Sequence, residues 1–398
     1  MQYQKISTWG LTRILKKQPH SFLFDLEGLD TKTIQFKLQG QPCVLCNYRQ
    51  LESLESTQKE AYKDLGLDGA KNLSEFNIGT HIFKLERWLS TLQKYFGVLL
   101  THHIEHEQHL PLQLSQMIEE PLKWTLFHLT FQSDLRKSIR PQDQQMQVIL
   151  DELTPDLDIP LYRIITPNYG SIYTLHFRRR KLHKLIAEVT DDKKAYNVSD
   201  FGSLLEWQRQ MSELIIWSIV MLNSNQNLYA KIKTEIQDQL EADAYKIEYL
   251  SQLPTLTCFI MEILRQAPPH WITTWGSLKD MSEYQTVFEG LHPKTKVFTA
   301  PVLSQRNPID WPSSDTFQPD RFFPIIHGAE VPFSYMPFGP GEKGRALTLT
   351  AVHTIANILV SIMRRGHFVI DGTEMEQLKN HIHPNGLRSS EEWVGVGY

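Results

Sequence analysis

A glycine-rich stretch late in the chain has the composition of a ligand-binding loop. It runs from Pro337 to Ala346, holds three glycines, and carries the cations Lys343 and Arg345. Glycine takes left-handed backbone angles without steric cost, so such a stretch can bend sharply. Apolar residues recur at spacings of three and four from Ala346 onward, which predicts a helix. A loop that presents backbone amides and two cations at a helix N-terminus is a candidate anion-binding site.

A group of histidines is the main candidate for binding a metal ion. His102, His106 and His109 are separated by four and three residues, so one helix face could present three imidazoles. The order of residues around Glu105 does not form the HExxH pattern of zinc proteases. We interpret these residues as surface histidines, and the sequence predicts no metal site.

Cys43 and Cys46 have the CxxC spacing that is typical of redox pairs and of zinc sites. They lie in a stretch that reads as a strand, where residues three apart face opposite sides of the sheet. The chain has one further cysteine, Cys258, and no second CxxC. We therefore interpret Cys43 and Cys46 as ordinary strand residues.

A second set of motifs combines an acid–base pair with proline-rich turns. Glu262 and Arg265 lie three apart in a helical pattern, share one face and can form an ion pair. Pro268 and Pro269 follow directly, and a later stretch reads Phe317-Gln318-Pro319-Asp320-Arg321-Phe322. Each motif alone is common in helical proteins, so the information lies in their order and their distances.

Taken in order before the Phe-Gly-Pro-Gly loop, these motifs resemble those of the cytochrome P450 family. The resemblance implies that Glu262, Arg265 and Arg321 form a buried network that holds the loop in place. It also implies a mainly α protein with small β-sheets (α+β) in the P450 fold. We expect a single domain over residues 1–398, with a β-rich lobe at residues 1–60 plus later strands, and a helical body at residues 61–398.

The loop departs from the family pattern at the residue that does the chemistry. The pattern is Phe-x-x-Gly-x-x-x-Cys-x-Gly, and Phe338 and Gly341 are in register with it. Lys343 lies where the family usually has an Arg or His that faces a haem propionate. Arg345 stands at the position of the iron-binding cysteine, and Leu347 stands at that of the last glycine. A guanidinium stays protonated and offers no lone pair to iron.

The long central helix of the family also has a counterpart that lacks the usual chemistry. The apolar pattern of Ser199–Leu222 predicts this helix. Working monooxygenases of the family carry small residues and an acid–threonine pair there, which relay protons to oxygen. The matching span here is Glu206-Trp207-Gln208-Arg209-Gln210, so we expect Glu206, Trp207 and Gln210 to line the pocket.

Patterns along the rest of the chain predict one hairpin and several helices. The predicted elements are a hairpin of Thr33–Leu38 and Pro42–Asn47, and helices at residues 8–27, Thr80–Phe96 and 118–190. The basic run Arg178–Lys181 lies in the last of these patterns. We interpret it as a solvated helix face, with a docking face for an acidic partner protein as the alternative.

The composition argues against several classes of protein. A formal charge of −4 and a pI near 6.5 give no electrostatic reason to expect nucleic acid as a partner. No apolar run approaches the roughly 18 residues that a membrane span needs. The N-terminus lacks the apolar core and cleavage site of a signal peptide. We expect a soluble, cytoplasmic protein of bacterial type.

The residues that hold the P450 scaffold are present, whereas those that do its chemistry are changed at two places. The leading hypothesis is a P450-fold protein that has lost thiolate-haem monooxygenase chemistry and serves a biosynthetic pathway. It would act as an auxiliary protein that binds a small molecule or a partner, and the resemblance implies a glycosyltransferase-like or other biosynthetic enzyme as that partner.

No cofactor is predicted under this hypothesis, and haem is expected only if a residue other than cysteine binds the iron. No catalytic residue is assigned. The alternatives are a haem-binding oxidoreductase with non-standard ligation of the iron, and a non-redox enzyme that uses the remodelled pocket.

Overall fold

The computed structural model of the chain has a helical body and several small sheets. It describes residues 2–5, 32–38, 41–54, 73–78, 81–106, 112–131, 198–240, 245–270, 272–279, 288–365, 369–370, 382–383, 386–387 and 395–397. The helices are α1 (Leu85–His106), α2 (Leu114–Phe131), α3 (Val198–Ser224), α4 (Gln226–Gln239), α5 (Pro254–Gln266), α6 (Pro301–Ser304), α7 (Phe323–Ile326) and α8 (Gly341–Arg365). The predicted class, mainly α with small β-sheets, is confirmed.

The largest sheet joins strands from the start of the chain to strands from its second half. Its order is β1-β2-β3-β8-β7, in which β2 and β3 are antiparallel and β3 and β8 are parallel. The β2–β3 pair confirms the predicted hairpin. The strands are β1 (Gln2–Lys5), β2 (Lys32–Leu38), β3 (Gln41–Leu45), β4 (Glu75–Ile78), β5 (His81–Lys84), β6 (Leu112–Gln113), β7 (Thr273–Ser277), β8 (Lys296–Thr299), β9 (Val369–Ile370), β10 (Ile382–His383), β11 (Gly386–Leu387) and β12 (Gly395–Gly397).

The helix predicted over Thr80–Phe96 begins later and ends later than the pattern indicates. His81–Lys84 forms β5, which pairs antiparallel with β4, and α1 then continues to His106. Phe76 and Phe83 lie directly opposite each other in this pair, and their ring centroids are 5.6 Å apart. Cross-strand aromatic packing of this kind stabilises a sheet. The partner strand therefore overrides the local helical periodicity.

Two long helices, α3 and α8, form the centre of the hydrophobic core. α3 spans Val198–Ser224, which confirms the predicted central helix to within two residues at each end. α8 begins at Gly341, five residues before the predicted start at Ala346. Within the described residues, Gly341–Arg364 is the one helix long and apolar enough to cross a membrane, and 94% of its most apolar stretch is buried inside the protein. Burial of that kind is typical of a core helix.

Buried polar side chains tie α8 to its neighbours. The Trp88 indole N–H on α1 donates to the hydroxyl of Thr354 at 3.0 Å. On another side of α8, the Tyr245 hydroxyl and Nδ1 of His353 form a hydrogen bond of 2.9 Å. Burial, with the Glu248 carboxylate adding to it, raises the pKa of Tyr245 well above its ordinary value. This tyrosine therefore stays protonated and keeps its hydrogen bond at neutral pH.

Some predicted features lie wholly or partly outside the described residues. These are the helices at residues 8–27, the basic run Arg178–Lys181, and the helices predicted beyond α2 in residues 118–190. Of the histidine group, residues 102 and 106 fall within α1, and residue 109 lies outside the described part. The residues that are described hold no cluster of His, Cys, Asp and Glu that could bind a metal ion.

Replacing Tyr245 by Phe is expected to lower the free energy of unfolding by about 1–3 kcal/mol, because it leaves one nitrogen of a buried imidazole without its partner. Urea unfolding followed by circular dichroism measures the change. The matched control is Tyr249→Phe, four residues later in the short 3₁₀ segment Ile247–Gln252, where the ring is only partly buried. Equal losses for the two variants would show that the bond to His353 contributes nothing.

Candidate functional site

A buried ion pair on α5 is the best-defined polar feature of the site. The Arg265 guanidinium binds both oxygens of the Glu262 carboxylate, at 2.7 and 2.9 Å, and both side chains are 0% exposed. Arg321 approaches the same carboxylate at 3.3 Å. The structure thus brings together the three residues that the sequence groups into one network.

The network also reaches the backbone of the segment that leads toward the loop. Arg265 donates to the carbonyl oxygens of Gln305 and Ser314, at 2.7 and 2.8 Å. The backbone N–H of Gln318 donates to Glu262 at 2.9 Å. A buried charge is stable only when its hydrogen-bonding groups have partners. These bonds therefore fix the position of residues 305–318 relative to α5.

Gln305 is a central residue of the site that the sequence analysis did not identify. Its side chain is fully buried, and its amide donates to the carbonyls of Leu264 and Arg265 at 3.1 and 3.0 Å. Its carbonyl accepts from the backbone N–H of Met336 at 2.9 Å. Gln305 thus links the end of α5 to the residues just before Phe338. No local pattern indicates this role, because all three contacts are distant in sequence.

The glycine-rich loop turns sharply between this network and α8. Gly339 has a φ of +94°, and a Cβ there would lie 2.6 Å from the hydroxyl of Thr273. The backbone angle favours glycine at this position, and a larger residue would also have to displace the hydroxyl of Thr273. Gly341 has a φ of +73° at the start of α8. Phe338 precedes both turns and is buried, with 4% of its surface exposed.

The two cations of the loop differ in how far they are exposed. Lys343 is exposed on the first turn of α8. Arg345 is 15% exposed and lies 3.8 Å from the carboxylate of Glu342, which is itself 73% exposed. An ion pair with one exposed partner contributes little to stability. The geometry therefore provides no enclosed anion site at this helix N-terminus.

The predicted pocket residues of α3 are buried and pack against the loop. Trp207 and Gln210 are 3% and 4% exposed, and the Trp207 and Phe338 ring centroids are 5.5 Å apart. The neighbouring Gln208 side chain donates to the Ser212 hydroxyl at 2.9 Å. Glu206 lies on the same helix, with its side chain outside the described part. The matching span thus presents an indole and amides toward the interior.

A flat cofactor such as haem needs open space between two surfaces. A ring inserted between two others requires about 7 Å between them, which is twice the optimal carbon–carbon contact of about 3.5 Å. Trp207 and Phe338 leave no such space. Arg345 cannot bind iron. Burial on α5, with the nearby carboxylates adding to it, raises the pKa of the Cys258 thiol to about 12, so this thiol stays protonated at neutral pH. As they lie in this structure, the described residues therefore leave no room for a haem between α3 and the loop, and the loop offers iron no thiolate.

Comparison with known proteins gives one family match and several relatives. A family model described as Cytochrome P450 matches residues 208–346. Cytochrome P450 4V2 of Homo sapiens is 28% identical over 210 residues, which cover 50% of this chain and 39% of the human protein. Cytochrome P450 714C2 of Oryza sativa subsp. japonica is 31% identical over 152 residues, 36% of this chain and 28% of the rice protein.

A bacterial protein is similar to the chain over a comparable length. Sterol 14alpha-demethylase of Mycolicibacterium vanbaalenii is 29% identical over 150 residues, 36% of this chain and 32% of that protein. The chain therefore spans less than half of the length of each of these relatives. Because they come from a mammal, a plant and a bacterium, the comparisons do not support the expectation of a bacterial type.

The comparisons also overturn the prediction that the chain has no cofactor. Cytochromes are haem proteins, so the family match and the relatives assign haem as the cofactor of the family. No observation on the described residues shows that haem has been lost. Two features of this chain nevertheless bear on haem binding. The indole of Trp207 fills the space beside Phe338, and the loop has no cysteine to bind the iron.

Replacing Glu262 by Ala is expected to lower the free energy of unfolding by about 3–5 kcal/mol, because it leaves a buried guanidinium without its counter-charge. The matched control is Glu119→Ala, which breaks the partly buried pair of Glu119 with Lys123 within one helix, α2. That loss should be no more than about 1 kcal/mol. Urea unfolding measures both, and a loss for Glu262→Ala as small as that of the control would contradict a structural role for the network.

Three observations relate the chain to the cytochrome P450 family. The fold is mainly α with small sheets, and Glu262, Arg265 and Arg321 meet in one network before a glycine-rich loop. The family match begins within α3 and ends at Ala346, just after that loop. Residues 208–346 of the chain match the cytochrome P450 family, and the mainly α architecture with small sheets is that of the P450 fold.

Proposed function

We propose that this chain is a single-domain cytoplasmic P450-fold protein that does not perform thiolate-dependent monooxygenation and acts by binding in a biosynthetic pathway. What it binds is a small molecule or a partner enzyme, for which a glycosyltransferase-like enzyme is the leading class. The observation that carries the proposal is Arg345, which stands where the family has the iron-binding cysteine.

The chemistry of the two side chains supports the loss of monooxygenation. A cysteine thiolate pushes electron density onto haem iron, and this favours cleavage of the oxygen–oxygen bond. A guanidinium is a cation with donors only, so it can neither bind iron nor supply that electron density. In addition, the carboxylate of Glu342 lies 3.8 Å from the guanidinium, and it is a carboxylate rather than iron that the guanidinium approaches.

The central helix supports the proposal independently of the loop. The span that should hold small residues and an acid–threonine pair instead holds Trp207, Gln208 and Gln210, all buried. The Gln208 side chain is engaged with the Ser212 hydroxyl. Neutral amides and an indole do not titrate near neutral pH, so these three side chains cannot relay protons by changing their charge. A single substitution at residue 345 would not account for this second change.

The preserved scaffold supports a role that depends on shape. The buried Glu262–Arg265 pair, its contact with Arg321 and the bonds of Gln305 all hold the loop region in place. A protein that acts by binding needs a fixed surface or cavity. It does not need a reactive iron, so the scaffold residues stay useful when the ligand cysteine is absent.

A second candidate is a haem-binding oxidoreductase in which iron has a ligand other than the loop cysteine. The relatives favour it, since they include a sterol 14alpha-demethylase and a nicotine N-demethylase. The two candidates differ in one measurable property, which is whether the haem-loaded protein turns over a substrate.

The ferrous carbonyl spectrum of the protein, expressed with an ample supply of haem precursor, tests the loss of thiolate chemistry. We expect the wild type to lack the red-shifted Soret band of a thiolate-ligated carbonyl complex, because its loop offers no sulfur ligand. Arg345→Cys should acquire that band, and Arg345→Ser is the matched control that should not. A thiolate-type band in the wild type, together with oxidation of a substrate, would contradict the proposal.

Co-expression with any transferase or synthetase that is encoded beside its gene tests the binding role. We expect a complex of defined stoichiometry on size exclusion, and a higher activity or longer half-life of the partner when the complex forms. Native mass spectrometry of the chain expressed alone tests for a retained small molecule instead. Absence of both the complex and a bound molecule would overturn the binding role.

A further inference from the structure

The indole of Trp207 occupies the space between the central helix α3 and the loop. It is 3% exposed, and its ring centroid lies 5.5 Å from Phe338 and 6.0 Å from Phe76. It is therefore enclosed by the loop on one side and by the β4–β5 hairpin on the other. A flat ligand that stacks on Phe338 from the α3 side would need the volume that this indole fills.

Further aromatic rings extend this contact in both directions. Phe76 lies 5.8 Å from Trp88, and on the far side His270 lies 5.7 Å from Phe338. The rings are supplied by five different parts of the chain, so the cluster is a product of the fold and not of one local motif. The space next to the loop is lined by surfaces on which a flat, conjugated molecule could stack.

Trp207 differs from Trp88 in whether its indole N–H has a hydrogen-bond partner. The indole N–H of Trp88 donates to Thr354 at 3.0 Å, which fixes the orientation of that ring. The indole N–H of Trp207 is buried and has no hydrogen-bond partner among the described residues. A buried donor without a partner is destabilising. Because the indole of Trp207 makes no hydrogen bond in this position, it loses none when it turns away from the site. Packing alone holds Trp207 in place.

We propose that Trp207 is a gate, which admits a flat conjugated ligand such as a porphyrin to the face of Phe338 only when its indole turns away. The closed arrangement is the one in the structure. When a binding-competent state is rare, the apparent affinity falls by the fraction of molecules in that state. The gate concerns access to the space and is independent of whether the protein acts through a partner.

The size of the effect follows from the population of the open state. Minor conformations of proteins are commonly populated at about 0.1–10%. The gate would then weaken apparent binding by about tenfold to a thousandfold. Removing the indole should restore that factor, because the space is then open in every molecule.

A haemin titration of the purified protein, followed by absorption and by quenching of tryptophan fluorescence, tests this gate. The variants are Trp207→Ala and Trp207→Phe, and the matched control is Trp217→Ala. Trp217 is also buried, on the same helix, about 15 Å along its axis by the rise of 1.5 Å per residue. Circular dichroism of each variant first establishes that it is folded, and Trp207→Phe keeps the test available if the alanine variant is not.

We expect Trp207→Ala to bind haemin at least about tenfold more tightly than the wild type, with Trp207→Phe between the two and Trp217→Ala unchanged. Equal affinities for the wild type and both Trp207 variants would overturn the gate. Weaker binding by Trp207→Ala would also overturn it, since the indole would then be part of the binding surface. Equal tightening by Trp217→Ala would attribute the gain to general loosening of the core and not to a gate.

Discussion

The buried ion pair between Glu262 and Arg265 is the constraint on which this part of the structure depends. Both side chains are fully buried, and removing two charges from water is costly unless their hydrogen-bonding groups find partners. Those partners are backbone groups of Gln305, Ser314 and Gln318. The segment from residue 305 to residue 318 cannot shift without leaving one of the charges incompletely bonded. The same constraint reaches the loop through Gln305, which binds Met336 directly.

This arrangement separates the stability of the scaffold from the chemistry of the loop. Arg345 lies on the first turns of α8, is partly exposed, and its ion pair is with Glu342 of the same helix. It makes none of the bonds described for the Glu262 network. A change from cysteine to arginine at that position therefore leaves the network intact. This explains how the chain can resemble its family closely from Glu262 to Gly341 and still differ at the residue that defines the family's chemistry.

The sequence predicted those elements whose residues carry a local signal, and it missed those set by distant contacts. The central helix and the β2–β3 hairpin were predictable, because periodicity and turn residues mark them. Strand β5 was not, since its residues fit a helical pattern and only pairing with β4 makes them a strand. The packing of Trp207 on Phe338 joins residues far apart in the chain, and no pattern in either segment indicates it. The role of Gln305 was hidden for the same reason.

The free energy that holds the indole of Trp207 in place decides whether a haem can bind beside Phe338. An aromatic side chain buries about 150–250 Å², and at about 25 cal/mol per Å² this stabilises the closed arrangement by about 4–6 kcal/mol. An unsatisfied buried donor opposes it by about 1–3 kcal/mol. The difference favours the closed arrangement by a few kcal/mol, which a tightly bound ligand can exceed. The family's use of haem is therefore compatible with a space beside Phe338 that Trp207 fills. The condition is that binding of the ligand supplies the free energy needed to move this one side chain.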